Sequence, residues 1–357
     1  MAKAKVIENL DCEAEAQSGI RLVLYTRFGE MYDLRAAALD FTDIEGVHDM
    51  RVASRRLRSA IKDFRDYLGG KKSVPKRGLK EVADALGDVR DQDVAIVALE
   101  KIRAEVEADA EVAEDVAAGV GRMADERRAV RQAARVKLAL KIAERPLADL
   151  RSKFLSRLVK PEDADAASGG ADGKRRRESK RGVSFRQAGR EVIAARVVKL
   201  KKLSNCLHHP SENEPLHRMR IEAKRLRYAM ELFTPCWGGT LTSYAHEVSE
   251  LQSSLGELHD CDVWIDDLGA RLDRKGAGFA DARAGAREQT RRAAVWLLSH
   301  FTKERSKHFR EALARWEEWE TTGFFAQLES VLNEAGETVS VSVAAVDQEA
   351  SSTHAAS

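Results

Sequence analysis

His48-Asp49-Met50-Arg51-Val52-Ala53-Ser54-Arg55-Arg56-Leu57-Arg58 returns further along the chain as His217-Arg218-Met219-Arg220-Ile221-Glu222-Ala223-Lys224-Arg225-Leu226-Arg227, at a constant offset of 169 residues (217 − 48). The match runs on without a single insertion: Phe64 falls on Phe233, Leu86-Gly87 on Leu255-Gly256, Asp91 on Asp260 and Asp93-Val94 on Asp262-Val263. A register held that long marks an internal duplication, so whatever this segment does is done twice.

On a helical wheel at about 100° per residue, His48, Arg51, Arg55, Arg58 and Lys62 share a sector of roughly 80°. Met50, Ala53, Leu57, Ala60, Ile61 and Phe64 take the opposite side. One face therefore packs, and the other carries a row of like charge about 21 Å long. Such neighbours repel by a few tenths of a kcal/mol per pair, which an anion would offset. The second row is one charge shorter, because Lys62 becomes Glu231.

The start of each helix adds to this. Pro215 stands where the first copy has Gly46, and Thr42-x-x-Glu45 and Ser211-x-x-Glu214 read as capping boxes upstream. Each histidine then lies in a first turn, where free N–H groups and the helix dipole favour phosphate. The competing reading is a solvated basic face paired with acidic neighbours, its histidines serving as structural hydrogen-bonders; duplication at matched positions favours the ligand role. A metal is disfavoured by the surrounding positive charge.

His-x-x-Arg-x-x-x-(Arg/Lys)-Arg-Leu-Arg, twice, each followed by Leu-Gly-x-x-x-Asp-x-Asp-Val, resembles the CHAD domain, the conserved histidine α-helical domain, over roughly residues 15 to 330. The resemblance implies an all-α fold of two pseudo-symmetric helical-bundle halves around a basic central cavity. It implies binding of inorganic polyphosphate, with association with polyphosphate granules. By residue match the ligand contacts would be His48, Arg51, Arg55, Arg56, Arg58 and Lys62, with His217, Arg220, Lys224, Arg225 and Arg227. Arg127 and Arg131, part of a row continued by Arg135, are further candidates for the cavity wall, with Arg287 and Arg291 as their counterparts near an offset of 160.

Scarce Pro and aromatics beside abundant Ala, Leu, Glu and Arg agree with helices. The net charge is only +2, so a basic face requires acids segregated elsewhere, as around Glu8 to Glu15 and from Glu105 to Asp115. Periodicity places helices near 15–39, 46–69, 76–86, 90–107, 110–144 and 147–159, then 184–208, 215–235, 241–255, 260–274, 277–300 and 304–333. The expected organisation is a tail over 1–14 and a helical domain over 15–335, whose halves, 15–160 and 183–335, flank a flexible linker at 161–182, followed by a tail over 336–357. That linker holds the basic run Lys174 to Arg181, a solvating segment or a contact for a polyanion.

The mirrored acids Asp88, Asp91 and Asp93, with Glu257, Asp260 and Asp262, could hold Mg²⁺ against phosphate, which would make the protein a phosphohydrolase of polyphosphate or triphosphate. Placed at a turn after Leu-Gly, they serve equally as caps or as partners for the arginines. A nucleic-acid binder is the third class, but the rows offer no aromatic for stacking except Tyr228. Cys12, Cys206, Cys236 and Cys261 show no metal-binding spacing, and there is no phosphate-binding glycine loop or nucleophile elbow. The expectation is a non-enzymatic protein without cofactor, metal or membrane partner. With no apolar signal core, it is expected to be cytoplasmic with reduced thiols.

Overall fold

The computed structural model describes residues 4–68, 74–109, 114–159, 182–273 and 284–334. Among them the regular structure is helical, with one isolated β-bridge, Glu15 to Ser184. The helices are α1 (Ala16–Asp33), α2 (Arg35–Leu39), α3 (Ile44–Asp63), α4 (Lys76–Ala108), α5 (Glu114–Lys141), α6 (Glu144–Val159), α7 (Phe185–Lys201), α8 (Asn213–Phe233), α9 (Leu241–Asp273), α10 (Ala284–Thr322) and α11 (Phe324–Asn333). Short 3-10 helices, Ser204–His208 and Thr234–Trp237, precede and follow α8. Apart from its last residue, Gly182, the expected linker at 161–182 lies outside the described residues, as do its Lys174 to Arg181 run and the tail over 336–357.

The two copies of the motif are α3 and α8. Adding 169 to the bounds of α3 gives 213–232, against Asn213–Phe233. Their apolar sides pack as the wheel requires: Met50, Ala53, Leu57, Ala60 and Ile61 are buried on α3, as are Leu216, Met219, Ala223 and Leu226 on α8. The matched Phe64 and Phe233 meet edge to face at 5.9 Å, and Phe185 touches both, at 6.2 and 4.9 Å. These rings belong to a large core that draws on both ends of the chain. A second buried cluster, including Leu99, Val120, Trp264 and Leu297, joins α4, α5, α9 and α10.

Three expectations change. No turn follows Leu86-Gly87 or Leu255-Gly256, because α4 and α9 run straight through them. Burial explains the continuity: Val82, Leu86, Val89, Asp93 and Ile96 on α4, and Val248, Leu251, Leu255, Leu258 and Asp262 on α9, keep steps of three and four residues, so the helical stripe never breaks. Likewise α10 continues through 300–304 and ends at Gly323, whose φ of 68° terminates it. The capping boxes are not formed. Asp43 caps α3 by accepting from Glu45 N at 2.8 Å, while α8 starts after Glu212 without a side-chain cap, placing Pro215 third in the helix.

The thiols also differ from expectation. Cys12 and Cys236 form a disulfide across 224 residues, and Cys206 and Cys261 are free and buried. The pair meets because the N-terminal segment is hydrogen-bonded to the start of α7: Phe185 N donates to Ala14 O at 2.9 Å and Arg186 N to Cys12 O at 2.8 Å. Arg186 also bonds Cys236 O and pairs with Glu13 at 2.5 Å. Cysteine spacing carries no trace of that approach.

Candidate anion-binding site

Four cations of the two basic helices influence one another: Arg51 and Arg55 of α3, Arg220 and Lys224 of α8. Burial, followed by Arg55, Arg220, Arg51 and Arg227, brings the Lys224 ammonium down to about 7. Burial, followed mainly by Arg51, brings Arg55 down to about 10, with Arg220 acting in the same direction. Among the described residues neither Arg55 nor Lys224 makes an ion pair or side-chain hydrogen bond. Enclosed like charges without partners are unfavourable for the free protein and favourable for an incoming anion.

The outer pair is partly compensated by the mirrored acids. Arg51 Nη2 lies 2.9 Å from Asp91 Oδ1, and Arg220 Nη2 3.9 Å from Asp260 Oδ1. Burial raises the Asp260 carboxyl, opposed by Arg220, with Glu257 and Asp91 raising it further. The arginines lie close over these glycines: a Cβ at Gly87 would lie 3.9 Å from Arg51 Nη2, and one at Gly256 3.7 Å from Arg220 Nε, both ordinary van der Waals contacts. The Leu-Gly signature is thus a place where the next helix passes close under the basic row, inside a helix rather than at a turn.

Asp93 and Asp262 are the buried members of the acid set, each with one carboxylate oxygen lacking a hydrogen bond. Arg131 reaches Asp93 at 3.2 Å and Arg135 at 3.9 Å, while Arg135 also lies over the Phe41 ring at 5.0 Å. In the second copy this role falls to Arg305, 2.5 Å from Asp262, which also donates to Pro210 O and Asn213 Oδ1, both at 2.8 Å, at the start of α8. Arg305 follows Arg135 by 170 residues (305 − 135) and was missed by the sequence reading, which placed the counterparts at Arg287 and Arg291. Those two are exposed on α10, without ion pairs among the described residues. Arg127 is turned away to Asp267 at 2.7 Å and lies over the Trp264 ring.

His48 and His217 are each the fifth residue of their helices, past the first turn in which the sequence placed them, and burial lowers both imidazoles, helped by Arg90 and Arg220 respectively. Arg90 and His259 were also missed, although 90 + 169 = 259. Arg90 lies 3.7 Å from Glu45, and His259 Nδ1 sits 3.2 Å from His217 Nδ1 with ring centroids 4.1 Å apart. Glu45, His48 and Asp49 bring possible ligand atoms within 4.8 Å of one another, so carboxylates do flank the first histidine. Arg90 at their edge works against a cation there.

The remaining candidates diverge. Arg56 turns to Glu30 at 3.4 Å, Arg225 pairs with Glu222, and buried Arg227 is held by Glu231 at 3.5 Å and by the Tyr228 ring. Arg58 and Lys62 are exposed; burial and then Arg225 lower the Lys62 ammonium.

A sequence model of the CHAD domain matches residues 24–269. The chain belongs to the CHAD-domain family. Among solved structures, the CHAD domain from the plant Ricinus communis superposes with a TM-score of 0.62 at 19% identity, covering 88% of this chain and 95% of that one. PptA from Streptomyces chartreusis gives 0.58 at 14% identity, covering 85% and 100%. At such identities the likeness is one of fold. Comparison with curated proteins gives no match. In this CHAD domain the duplicated motif brings Arg51, Arg55, Arg220 and Lys224 together and leaves Arg56, Arg225, Arg127, Arg287 and Arg291 at other places.

Proposed function

We propose that this CHAD domain is a non-catalytic binder of inorganic polyphosphate, with α3 and α8 contributing from two pseudo-symmetric halves, 15–160 and 183–335, to one basic cavity. The observation that carries this reading is the mutual charge of Arg51, Arg55, Arg220 and Lys224, with Arg55 and Lys224 lacking an ion-pair partner among the described residues. A chain of phosphates supplies closely spaced negative oxygens to such a row without requiring shape or base recognition. His48 and His217 add imidazole contacts at the end of the rows nearer the helix starts, and Arg58 and Lys62 extend the first row outward. Association with polyphosphate granules is part of this reading, whereas the Cys12–Cys236 disulfide counts against the reduced cytoplasm expected from the sequence. No described helix is long and apolar enough to cross a membrane.

Two other readings fit less well. A phosphohydrolase needs several free carboxylates for Mg²⁺, yet four of the six mirrored acids, Asp91, Asp93, Asp260 and Asp262, face arginines, which leaves Asp88 and Glu257 as the members without an ion pair among the described residues. A nucleic-acid binder needs stacking groups, and Tyr228, the one aromatic in the row, is buried beside Arg227. The test is binding of long-chain polyphosphate, triphosphate, single-stranded RNA and duplex DNA at one salt concentration. Long-chain polyphosphate should bind tightest; equal or tighter binding of a nucleic acid would overturn the proposal.

A further inference from the structure

The two basic helices match in position but not in chemistry. Arg55 of α3 corresponds to Lys224 of α8, and Arg90 of α4 to His259 of α9, while Arg51 and His48 keep their types as Arg220 and His217. Three arginines that hold their charge at physiological pH thus serve the first copy. In the second, two of the three equivalent positions carry groups able to lose it.

We propose that His259, with His217 and Lys224, forms a proton-loading phosphate subsite, distinct from the permanently charged subsite of Arg51, Arg55 and Arg90, so that ligand enters the second copy together with protons. The inference rests on the polyphosphate reading above and adds His259 and Arg90 to the contacts.

Geometry is the first support. The His217 and His259 rings overlap at 4.1 Å with Nδ1 facing Nδ1 at 3.2 Å. A neutral pair shares one N–H between those atoms. Two imidazolium rings would set N–H against N–H, an arrangement that needs an anion beside it. Lys224 lacks any acidic partner among the described residues, so a phosphate oxygen would be its first counter-ion.

The surroundings act in the same direction. Lys224 meets Arg51 and Arg55 from α3 and Arg220 and Arg227 from its own helix, and is brought to about 7. His259 is brought to about 4 by burial, then by Arg220, His217 and Lys224. Of the α9 acids, Asp260 faces Arg220 and Asp262 pairs with Arg305 of α10, while Glu257 acts on Asp260. Asp262 and Glu214 raise His217 only against the larger lowering by burial and Arg220. From α7, Arg196 is taken up by Asp63 and Glu222, and Lys199 acts on Lys62. In the preceding 3-10 turn, Cys206 is pushed up to about 11 and stays a thiol.

If ligand holds the Lys224 ammonium charged, that residue alone takes up about 0.9 proton at pH 8, and affinity falls about tenfold between pH 6 and pH 8. Calorimetry of long-chain polyphosphate binding, in buffers of different ionisation enthalpy, counts the protons. Wild type should take up about one or more per chain at pH 8. The Lys224→Arg/His259→Arg variant, which copies the first row, should take up fewer and bind tighter than wild type at pH 8. Imidazole NMR of wild type at pH 6.5 should show histidines that are neutral alone and charged with ligand, a readout independent of how the variant folds. Wild-type binding with no proton uptake, a variant with undiminished uptake, or histidines that stay neutral in the complex would each overturn this proposal while leaving the polyphosphate reading standing. Failure of wild type to bind polyphosphate at pH 6 would instead remove the parent reading.

Discussion

Arg51 and Arg220 occupy matched positions yet should not contribute equally to binding. A charge-assisted hydrogen bond to phosphate is worth about 1.5–3 kcal/mol. Arg51 must first give up part of its 2.9 Å pair with Asp91, whose side chain is 62% exposed. Such a pair is worth at most about 1 kcal/mol. The net loss for Arg51→Ala is then about 0.5–2 kcal/mol, roughly 2- to 30-fold in Kd. Arg220 is only 3.9 Å from Asp260 and gives up less, so Arg220→Ala should cost nearer the full contact, roughly 10- to 150-fold. Removing either arginine also relieves Lys224, whose charged fraction rises; because that relief saturates once Lys224 is fully charged, the double variant should lose at least the two single losses summed. Anisotropy of labelled polyphosphate over a salt series checks both quantities. Each removed arginine should lower the slope of log affinity against log salt by about 0.7–0.9, by analogy with nucleic-acid polyanions. A folded Arg51→Ala/Arg220→Ala protein with wild-type affinity and slope would refute the reasoning.

Other outcomes follow from the same geometry. Asp91→Asn should change stability by no more than about 1 kcal/mol, and neither it nor wild type should release phosphate from polyphosphate with Mg²⁺; metal-dependent turnover lost in Asp91→Asn would restore the hydrolase reading. Asp93→Asn should cost more, about 3 kcal/mol in a denaturant titration, since it strands Arg131 and Arg135 around a site 1% exposed. Because the folded protein holds His48, His217 and His259 below their unfolded values, the unfolded chain binds more protons below pH 6.5, and the melting temperature of free protein should fall from pH 6.5 toward 4. A flat profile over that range would mean these rings are not restrained. Reducing the Cys12–Cys236 bond should lower stability by about 2–4 kcal/mol, seen as a melting shift with dithiothreitol that is absent in Cys12→Ala.

Much of the candidate site could be read along the chain because an amphipathic helix is a local object: steps of three and four residues place Arg51 and Arg55, or Arg220 and Lys224, on one face whatever they pack against. The same reasoning went astray at Gly87 and Gly256. Glycine inside a helical stripe reads as a break, whereas here burial of the flanking Leu, Val and Asp positions carries the helix through, with an arginine of the neighbouring helix lying over each glycine. Arg305 was invisible for another reason. Its distance from Arg135 departs from the repeat by one residue, and only the packing of α10 against α9 shows that it meets Asp262.

Sequence alone thus determined the helical class, the duplication and the identity of the basic faces, since each depends on periodicity and register within a segment. Tertiary structure decided which of the described cations lack an ion pair, that His259 meets His217, and that Cys12 reaches Cys236. Those outcomes depend on distances between residues far apart in the chain. Charge and proton affinity, in turn, are set by what a side chain meets in space: Arg56 finds Glu30, while Lys224 finds only other cations.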